Sequence, residues 1–441
     1  MAKPKNRISS ITVQGFKSIC AEQTLAIRPL TILAGANSSG KSSFIQPLLL
    51  LKQTLEAPGD PGALLLDGPN VRFTMAEQLF SRVLGKECGH EFAVRVELLE
   101  GKHMRLVFHR EEGKGVELAS MTYADGKESL TVVPGMGHDA IMGVLPQPLK
   151  SFHQDFEKRE KTAFRWVVRR ERCFFTFELT STAEPKRQVT FGPFGITPSV
   201  EFVSHIQGAI HLPGLRGNPR RTYPRTSGGP EFPGTFEPYV ASVITQWQAD
   251  ANGKLASLGK TLEAMGLTWK VKAERVDDTQ VELKVGRLPH SRQGGARDLV
   301  SIADVGFGVS QSLPVVVALL TAKPGQLVYL EQPEIHLHPL AQRRLASVLR
   351  DAVERGVVSV VETHSALLLR EVQTLVARGE LRKEDVALHW LQRDQEGGTT
   401  VQTAEVDDQG AYGNWPEDFD QTELQAEQAY LDAVESKGVN P

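Results

Sequence analysis

The sequence predicts an α/β fold: an open parallel sheet whose two halves are separated in the chain by a largely β insertion. Three observations predict it. Leu30-Thr31-Ile32-Leu33-Ala34 is a short apolar run that empties into the loop Gly35-Ala36-Asn37-Ser38-Ser39-Gly40-Lys41-Ser42-Ser43, and an apolar helical stretch follows. From Asp298 onward, short apolar runs alternate with longer helical patterns, as parallel strands buried on both faces require. Between these regions the texture changes to β-type runs joined by glycine-containing turns.

In chain order, residues 8–13 alternate apolar and polar, a strand pattern, and Gly15-Phe16-Lys17-Ser18 makes a turn. Residues 24–27 form a second short strand before Pro29. Gly35, Gly40, Lys41 and Ser42 then fill the G-x-x-x-x-G-K-[ST] spacing of a phosphate-binding loop. That spacing has a physical basis. Glycines let backbone N–H groups curl around a phosphate, and the positive end of the following helix points at the same anion. Lys41 adds a mobile charge, and the Ser42 hydroxyl is placed to ligate Mg²⁺. The helix is apolar nearly all round at Phe44, Ile45 and residues 48–51, the mark of burial; Pro47 is expected to kink it or confine it to its first turns.

Pro58-Gly59-Asp60-Pro61-Gly62 breaks the chain, and residues 75–84 read as a short amphipathic helix. Residues 90–99 and 104–110 form a hairpin around Gly101-Lys102, and residues 116–123 and 129–133 another around Asp125-Gly126. Residues 152–172, dense in Lys and Arg, are expected to be helical, with strands at 174–179 and 188–191. A Pro/Gly/Arg-rich loop spans 214–234, followed by helices at 237–248 and 255–265 and strands at 268–276 and 280–285. Helices at 310–320, 340–354 and 365–377 then alternate with strands at 326–330 and 357–361. The implied division is 1–85, 86–290, 291–403 and a C-terminal extension at 404–441.

Composition narrows the function classes. The 441 residues are 40% hydrophobic and 23% charged, with no apolar run near the ~20 residues of a membrane span. The basic start lacks the apolar segment of a signal peptide. A net charge of −3 gives no global pull toward nucleic acid or anionic membranes, so any such surface must be a local patch. Cys20, Cys88 and Cys173 are few, odd in number and widely spaced, and read as free thiols of a cytoplasmic protein.

Three further stretches collect chemistry. Asp304-Val305-Gly306-Phe307-Gly308-Val309-Ser310-Gln311-Ser312 sets glycines and a serine ahead of a helix, a second anion-ready N-terminus, or a plain cap and tight turn. A head-to-tail dimer would use both such sites on one ATP. Leu327-Val328-Tyr329-Leu330-Glu331-Gln332-Pro333-Glu334-Ile335-His336-Leu337-His338-Pro339 puts carboxylates at the carboxyl end of a buried strand, where α/β sheets place ligand chemistry. Glu331 is positioned to hold Mg²⁺; His336 and His338 lack a third ligand and read as loop structure. After residues 357–361 comes Glu362-Thr363-His364-Ser365, whose histidine can donate to a phosphate or orient a water.

These four motifs, in this order, resemble the ABC-type ATPase heads of the RecF, SMC and OLD (overcoming lysogenization defect) group. Residues 11–18 resemble the opening strand and turn, Gly35–Ser42 the Walker A motif, and Gly306–Gln311 the signature motif. Residues 327–331 resemble Walker B, His336-Leu337-His338-Pro339 the D-loop, and His364 the switch histidine. The likeness covers both ends of the chain, not most of the middle, and points to the OLD-like, RecF-like branch rather than transporters. His211-Leu212-Pro213-Gly214-Leu215-Arg216 with Pro219-Arg220-Arg221 and Tyr223 resembles a basic loop of that branch, and residues 413–419 its short C-terminal extension. The fold implied is an ABC-type P-loop NTPase head, a mixed β subdomain plus a parallel-sheet RecA-like core. The cofactors implied are ATP and Mg²⁺. The site implied is Gly35–Ser43 on phosphate and Mg²⁺, Glu331 on Mg²⁺, Gln332 on water, Gly308, Ser310 and Gln311 capping the opposite subunit's nucleotide, and His364 sensing it. The partners implied are a second copy of the chain, in an ATP-sandwich homodimer or a larger oligomer, and a separate nuclease or toxin effector in bacterial anti-phage defence.

Two departures qualify this expectation. The residue after the Walker B acid is usually a glutamate that polarises the attacking water; here it is Gln332, and Glu334, two residues on, is the candidate substitute. An amide holds a water but cannot take its proton, so slow hydrolysis is expected. The nuclease domain of OLD enzymes would have to follow the ATPase, and residues 365–441 are too few for it, so no cleavage by this chain is expected. Lys158, Arg159, Lys161, Arg165, Arg169, Arg170 and Arg172, interleaved with aromatics, and Arg216, Arg220, Arg221 and Arg225 form two basic clusters. They suit nucleic acid or a protein partner. A RecF-like DNA-repair ATPase is the alternative reading.

Overall fold

The computed structural model describes residues 6–434 apart from 85, 88, 112, 114, 127, 146, 182–189, 192–198, 227–230, 251–252, 288–297 and 414–427. Residues 414–419 of the expected C-terminal extension lie outside the described residues. The chain opens with β1 (Ile8–Gln14) and β2 (Gln23–Ala26), then β3 (Leu30–Gly35), which leads into α1 (Lys41–Glu56). Next come β4 (Glu91–Leu98), β5 (Lys102–Glu111), β6 (Gly115–Asp125) and β7 (Glu128–Val132). Helix α2 (Gln147–Glu160) precedes a hairpin of β8 (Phe164–Glu171) and β9 (Phe174–Ser181). Then follow β10 (Ile210–Leu212), α3 (Val240–Asp250), α4 (Lys254–Ala264), and the antiparallel pair β11 (Val271–Arg275) and β12 (Gln280–Gly286). The last part holds α5 (Phe307–Thr321), β13 (Leu327–Glu331), α6 (Pro339–Glu354), β14 (Val358–Glu362), α7 (Ala366–Ala377), β15 (Val386–Arg393) and β16 (Thr399–Ala404).

Two six-stranded sheets organise these elements. One is antiparallel, in the order β2-β1-β4-β5-β6-β7. Its strands bury alternate residues, as Met104, Leu106 and Phe108 show along β5, so one face is a core and the other is wetter. The other runs β10-β13-β14-β3-β15-β16 and is parallel except for its last pair. Its central strands are buried on both faces. Leu33 of β3 joins the core shared with α1 and the first sheet, whereas Leu30, Ile32 and Ala34 face the second core, under α5, α6 and α7. That is why these strands read as unbroken apolar runs.

Chain position and layer do not coincide. β4–β7 extend the sheet begun by β1 and β2, and β10 pairs in parallel with β13, so the stretch 86–290 supplies part of both sheets. Other local expectations shift for identifiable reasons. Residues 152–172 split into α2 and β8, with Lys161 between them in a left-handed conformation (φ 50°). Phe164 and Trp166 are buried while Arg165 and Arg169 point out, a period of two that a helical reading misses. α1 runs unbroken through Pro47, because a helix buried on its flanks tolerates one missing bond. Residues 75–84 hold only a 3₁₀ turn, Ala76–Leu79, and a two-residue strand. Cys20 is disulfide-bonded, against the expectation of free thiols: the spacing of cysteines in a sequence does not report which side chains meet in the fold. Cys173 is free, buried, and its thiol is pushed well up by that burial. Among the described residues, no helix is long and apolar enough to cross a membrane.

A candidate nucleotide-binding site

The loop between β3 and α1 can only be built with glycine at its ends. Gly35 has φ 148°, and a β-carbon there would sit 2.2 Å from the Leu391 carbonyl of β15. Gly40 has φ 98°, and its β-carbon would meet Thr399 Oγ1 at 2.4 Å. The loop is braced from the far end of the chain. Arg393 Nε donates to the Ser38 carbonyl (2.7 Å), and Thr399 Oγ1 lies 2.7 Å from Ser18 Oγ and 2.9 Å from the Ser39 carbonyl. Lys41 folds over its own loop, donating to the carbonyls of Gly35 (3.0 Å) and Ala36 (2.8 Å), and burial lowers its pKa. Ser39 Oγ is buried without a hydrogen-bond partner. The loop frames a cavity of about 360 Å³ lined by residues 37–43, Lys17, Ser18, Gln46, Gln332, Glu362, His364 and Arg393.

Three carboxylates approach this region and each has a different environment. Glu331, at the end of β13, places Oε1 3.1 Å from His211 Nε2 and accepts the Gly214 N–H at Oε2 (3.0 Å). Burial works to raise its pKa, but His211, Gly214 and Arg216 outweigh it and hold the acid below the usual range. Glu362, beside it in register at the end of β14, is 3% exposed. Its Oε2 accepts the Ser42 hydroxyl (2.9 Å) and its Oε1 the Tyr329 hydroxyl. Burial, with Glu331 adding, raises this acid to about 7 against the pull of Tyr329, Ser42 and Lys41. Glu334 faces elsewhere, accepting from Thr363 Oγ1 and the His364 N–H, both at 2.8 Å.

Residues 249–370 match the family model described as "AAA domain, putative AbiEii toxin, Type IV TA system". Over 378 residues the chain is 22% identical to the Old nuclease of Escherichia phage P2, an alignment covering 82% of this chain and 57% of that protein. Together with the phosphate loop on β3 and the acids ending β13 and β14, these matches support an ABC-type ATPase of the RecF, SMC and OLD group. The chain spans little more than half the length of its curated relative. SMC heads among solved structures align more loosely. One is a SmcHead bound to the C-winged helix domain of ScpA (11% identity, 91% of this chain and 98% of that one, TM-score 0.49). Another is the head of Thermotoga maritima SMC (12%, 91% and 100%, TM-score 0.37).

Residues 306–311, which resemble the signature motif, are not among the residues lining the phosphate-loop cavity. Helix α5 starts at Phe307 with Gly306 as its cap, so Gly308 and Ser310 lie in its first turn rather than ahead of the helix. Ser310 Oγ donates to the Phe307 carbonyl (3.1 Å). Gln311 accepts from Arg216 Nε (3.3 Å) and donates to the Gly217 carbonyl (3.3 Å). Gln332 and His364 do line the cavity. Gln332 adopts φ 42°, rare for a residue with a side chain, and its N–H donates to the Glu362 carbonyl (2.9 Å). His364 is half-buried, with its pKa lowered first by burial and then by Lys41. His338 caps α6 through its ring, and His336 packs against Phe307.

Several arginines of the two basic clusters are neutralised locally. Arg169 pairs with Glu178, Arg170 with Asp60 (2.9 Å), and Arg221 forks onto Asp304 (2.8 and 3.2 Å). Arg220 is exposed. Sequence reasoning named His211, Arg216, Tyr329 and Glu362 only as parts of longer motifs and gave none of them a role at this site. The available signal for Glu362 was an ionisable residue ending a β-branched strand.

Proposed function

We propose that this ATPase binds ATP and Mg²⁺ at Gly35–Ser43, dimerises head to tail around the nucleotide, and hydrolyses it slowly while holding a partner effector, a nuclease or toxin subunit of anti-phage defence. The observation that carries the reading is the cavity shared by the phosphate loop, Gln332, Glu362 and His364, to which the chain's own signature segment contributes nothing. A second subunit would supply Gly308, Ser310 and Gln311. Exposed apolar side chains support such a contact: Leu215 (93% exposed) in the loop after β10, and Phe307 (49%) and Leu340 (50%) at the starts of α5 and α6.

The donors around Ser42 are hard oxygens, a hydroxyl and the Glu362 carboxylate with Glu331 on the next strand, a set that fits Mg²⁺. When bound, the cation would neutralise charge on the β- and γ-phosphates. Lys41 would leave the Gly35 and Ala36 carbonyls for phosphate oxygens, and backbone N–H groups at the start of α1 would meet the anion. Gln332 would hold the attacking water without accepting its proton, and His364 would donate toward the γ-phosphate.

The test is Lys41→Ala, read by calorimetric titration with ATP. Binding should be lost, and unchanged affinity would overturn the reading. ATP should shift the native mass of the wild-type chain to a dimer. Turnover above about 1 s⁻¹, the ordinary enzyme range, would contradict slow hydrolysis. DNA cleavage by the purified chain in Mg²⁺ or Mn²⁺ would contradict a separate effector. The local pairing of Arg169, Arg170 and Arg221 favours a protein partner over DNA; salt-dependent DNA binding lost on removing Arg220 and Arg221 would reverse that preference.

A further inference from the structure

We propose that Glu362, on the strand next to the Walker B acid, orients the Ser42 hydroxyl and supplies the carboxylate that faces the divalent cation in the phosphate-loop cavity. This rests on the ATP and Mg²⁺ reading given above.

A serine hydroxyl has one proton and two lone pairs. With Glu362 Oε2 2.9 Å away, the proton of Ser42 goes to the carboxylate, which leaves the lone pairs of Oγ turned away from it and available to a cation. The other carboxylate oxygen is fixed by the hydroxyl of Tyr329, itself 1% exposed. The backbone is fixed too, since the Glu362 carbonyl accepts the N–H of Gln332. Glu362 therefore has little freedom to point elsewhere.

Glu331 is differently committed. Its oxygens meet His211 and the Gly214 N–H rather than Ser42, and Glu362 lines the cavity that holds Ser42 while Glu331 does not. The hydrogen-bond partners of Glu362 are both hydroxyls, and among the described residues no Lys or Arg forms an ion pair with it. A buried carboxylate without a cationic partner is costly, and a divalent ion on Ser42 would relieve that cost. Glu362 is thus a positioning residue whose effect on binding should appear through the metal.

The experiment measures Mn²⁺ binding to the full chain by electron paramagnetic resonance in saturating ATP, together with ATP affinity in EDTA. Glu362→Gln should bind metal-free ATP at least as well as wild type, yet lose 10-fold or more in Mn²⁺ affinity. Glu362→Asp should recover part of the loss, and Glu331→Gln should lose less than Glu362→Gln. Mn²⁺ affinity within twofold of wild type in Glu362→Gln, or a larger loss in Glu331→Gln, overturns the inference while leaving nucleotide binding intact. No ATP binding by the wild type overturns both. Should Glu362→Gln fail to fold by circular dichroism, Glu362→Asp decides: its shorter reach must weaken Mn²⁺ binding at least threefold, and an unchanged affinity overturns the inference.

Discussion

His211 Nε2 lies 3.1 Å from Oε1 of Glu331, bridging the ends of two adjacent parallel strands 120 residues apart in the chain. The other ring nitrogen reaches Asn70 Oδ1 at 3.1 Å, and the imidazole stacks on Tyr329 with 5.3 Å between centroids. The ring is 1% exposed. His211→Ala removes a packed ring and leaves Glu331 with the Gly214 N–H, so it should cost about 2–4 kcal/mol. Urea unfolding checks this, and a stability within about 0.5 kcal/mol of wild type would show that the bridge contributes little.

Arg216 joins the same strand end to the signature helix. Its guanidinium donates to the carbonyls of Pro213, Glu331 and Gln332 and to Gln311 Oε1, at 3.1 to 3.3 Å. A lysine has one ammonium and cannot span four acceptors in fixed directions. Arg216→Lys should lower stability by about 2–3 kcal/mol, within the range for a broken buried network. It should also weaken the proposed ATP-dependent dimerisation, because Gln311 loses its tie through Arg216 to the chain at Glu331 and Gln332. Native mass spectrometry over a range of protein concentrations would read that change. A dimer as tight as wild type would mean that the signature helix is held by packing alone.

Much of this arrangement is legible in the sequence, and the reason differs from part to part. Gly35 to Ser42 is readable because one loop must satisfy the anion through consecutive backbone groups, so spacing carries the whole signal. β14 is readable because it is buried on both faces and valine fills three of its five positions. β8 is not, since its outward arginines mask the alternation of Phe164 and Trp166. β10 is three residues long, too short for any periodicity. The pairing of Ser42 with Glu362 depends on the register of β3 against β14, which places residue 362 beside residue 33. Sequence spacing holds no trace of that register. Ser42 therefore hydrogen-bonds to Glu362 on β14, while Glu331, expected from the sequence to hold Mg²⁺, ends the neighbouring β13.

The raised pKa of Glu362 has a consequence for stability with a definite sign. An acid with an ordinary value near 4.5 when unfolded and about 7 when folded binds more protons in the native state between those limits. Stability from this group therefore falls as pH rises from about 4.5 to about 7. Glu331 works oppositely, adding stability that disappears as pH drops through its lowered value. The melting temperature of Glu362→Gln should gain on wild type across pH 4.5–7, by the equivalent of roughly 3 kcal/mol at most. Parallel melting curves for the two proteins would show that Glu362 is ionised equally in both states.

Gln332 is where geometry and chemistry can be separated. Its φ of 42° costs about 1 kcal/mol in a residue with a β-carbon, so Gln332→Gly should stabilise the fold slightly while removing the amide proposed to hold water. Gln332→Glu keeps the strain and restores an acceptor for the proton. If the amide is what slows hydrolysis, this single change should raise kcat by roughly 10²-fold, the lower end of general-base effects, with little change in KM. The two variants together discriminate the causes. A rate raised equally by glycine and glutamate would point to backbone strain, because glycine offers no base. A rate raised by glutamate alone would point to the missing base. An unchanged rate in both would place the limiting step after chemistry, in dimer opening or product release, and steady-state phosphate release compared with a single-turnover burst would show it.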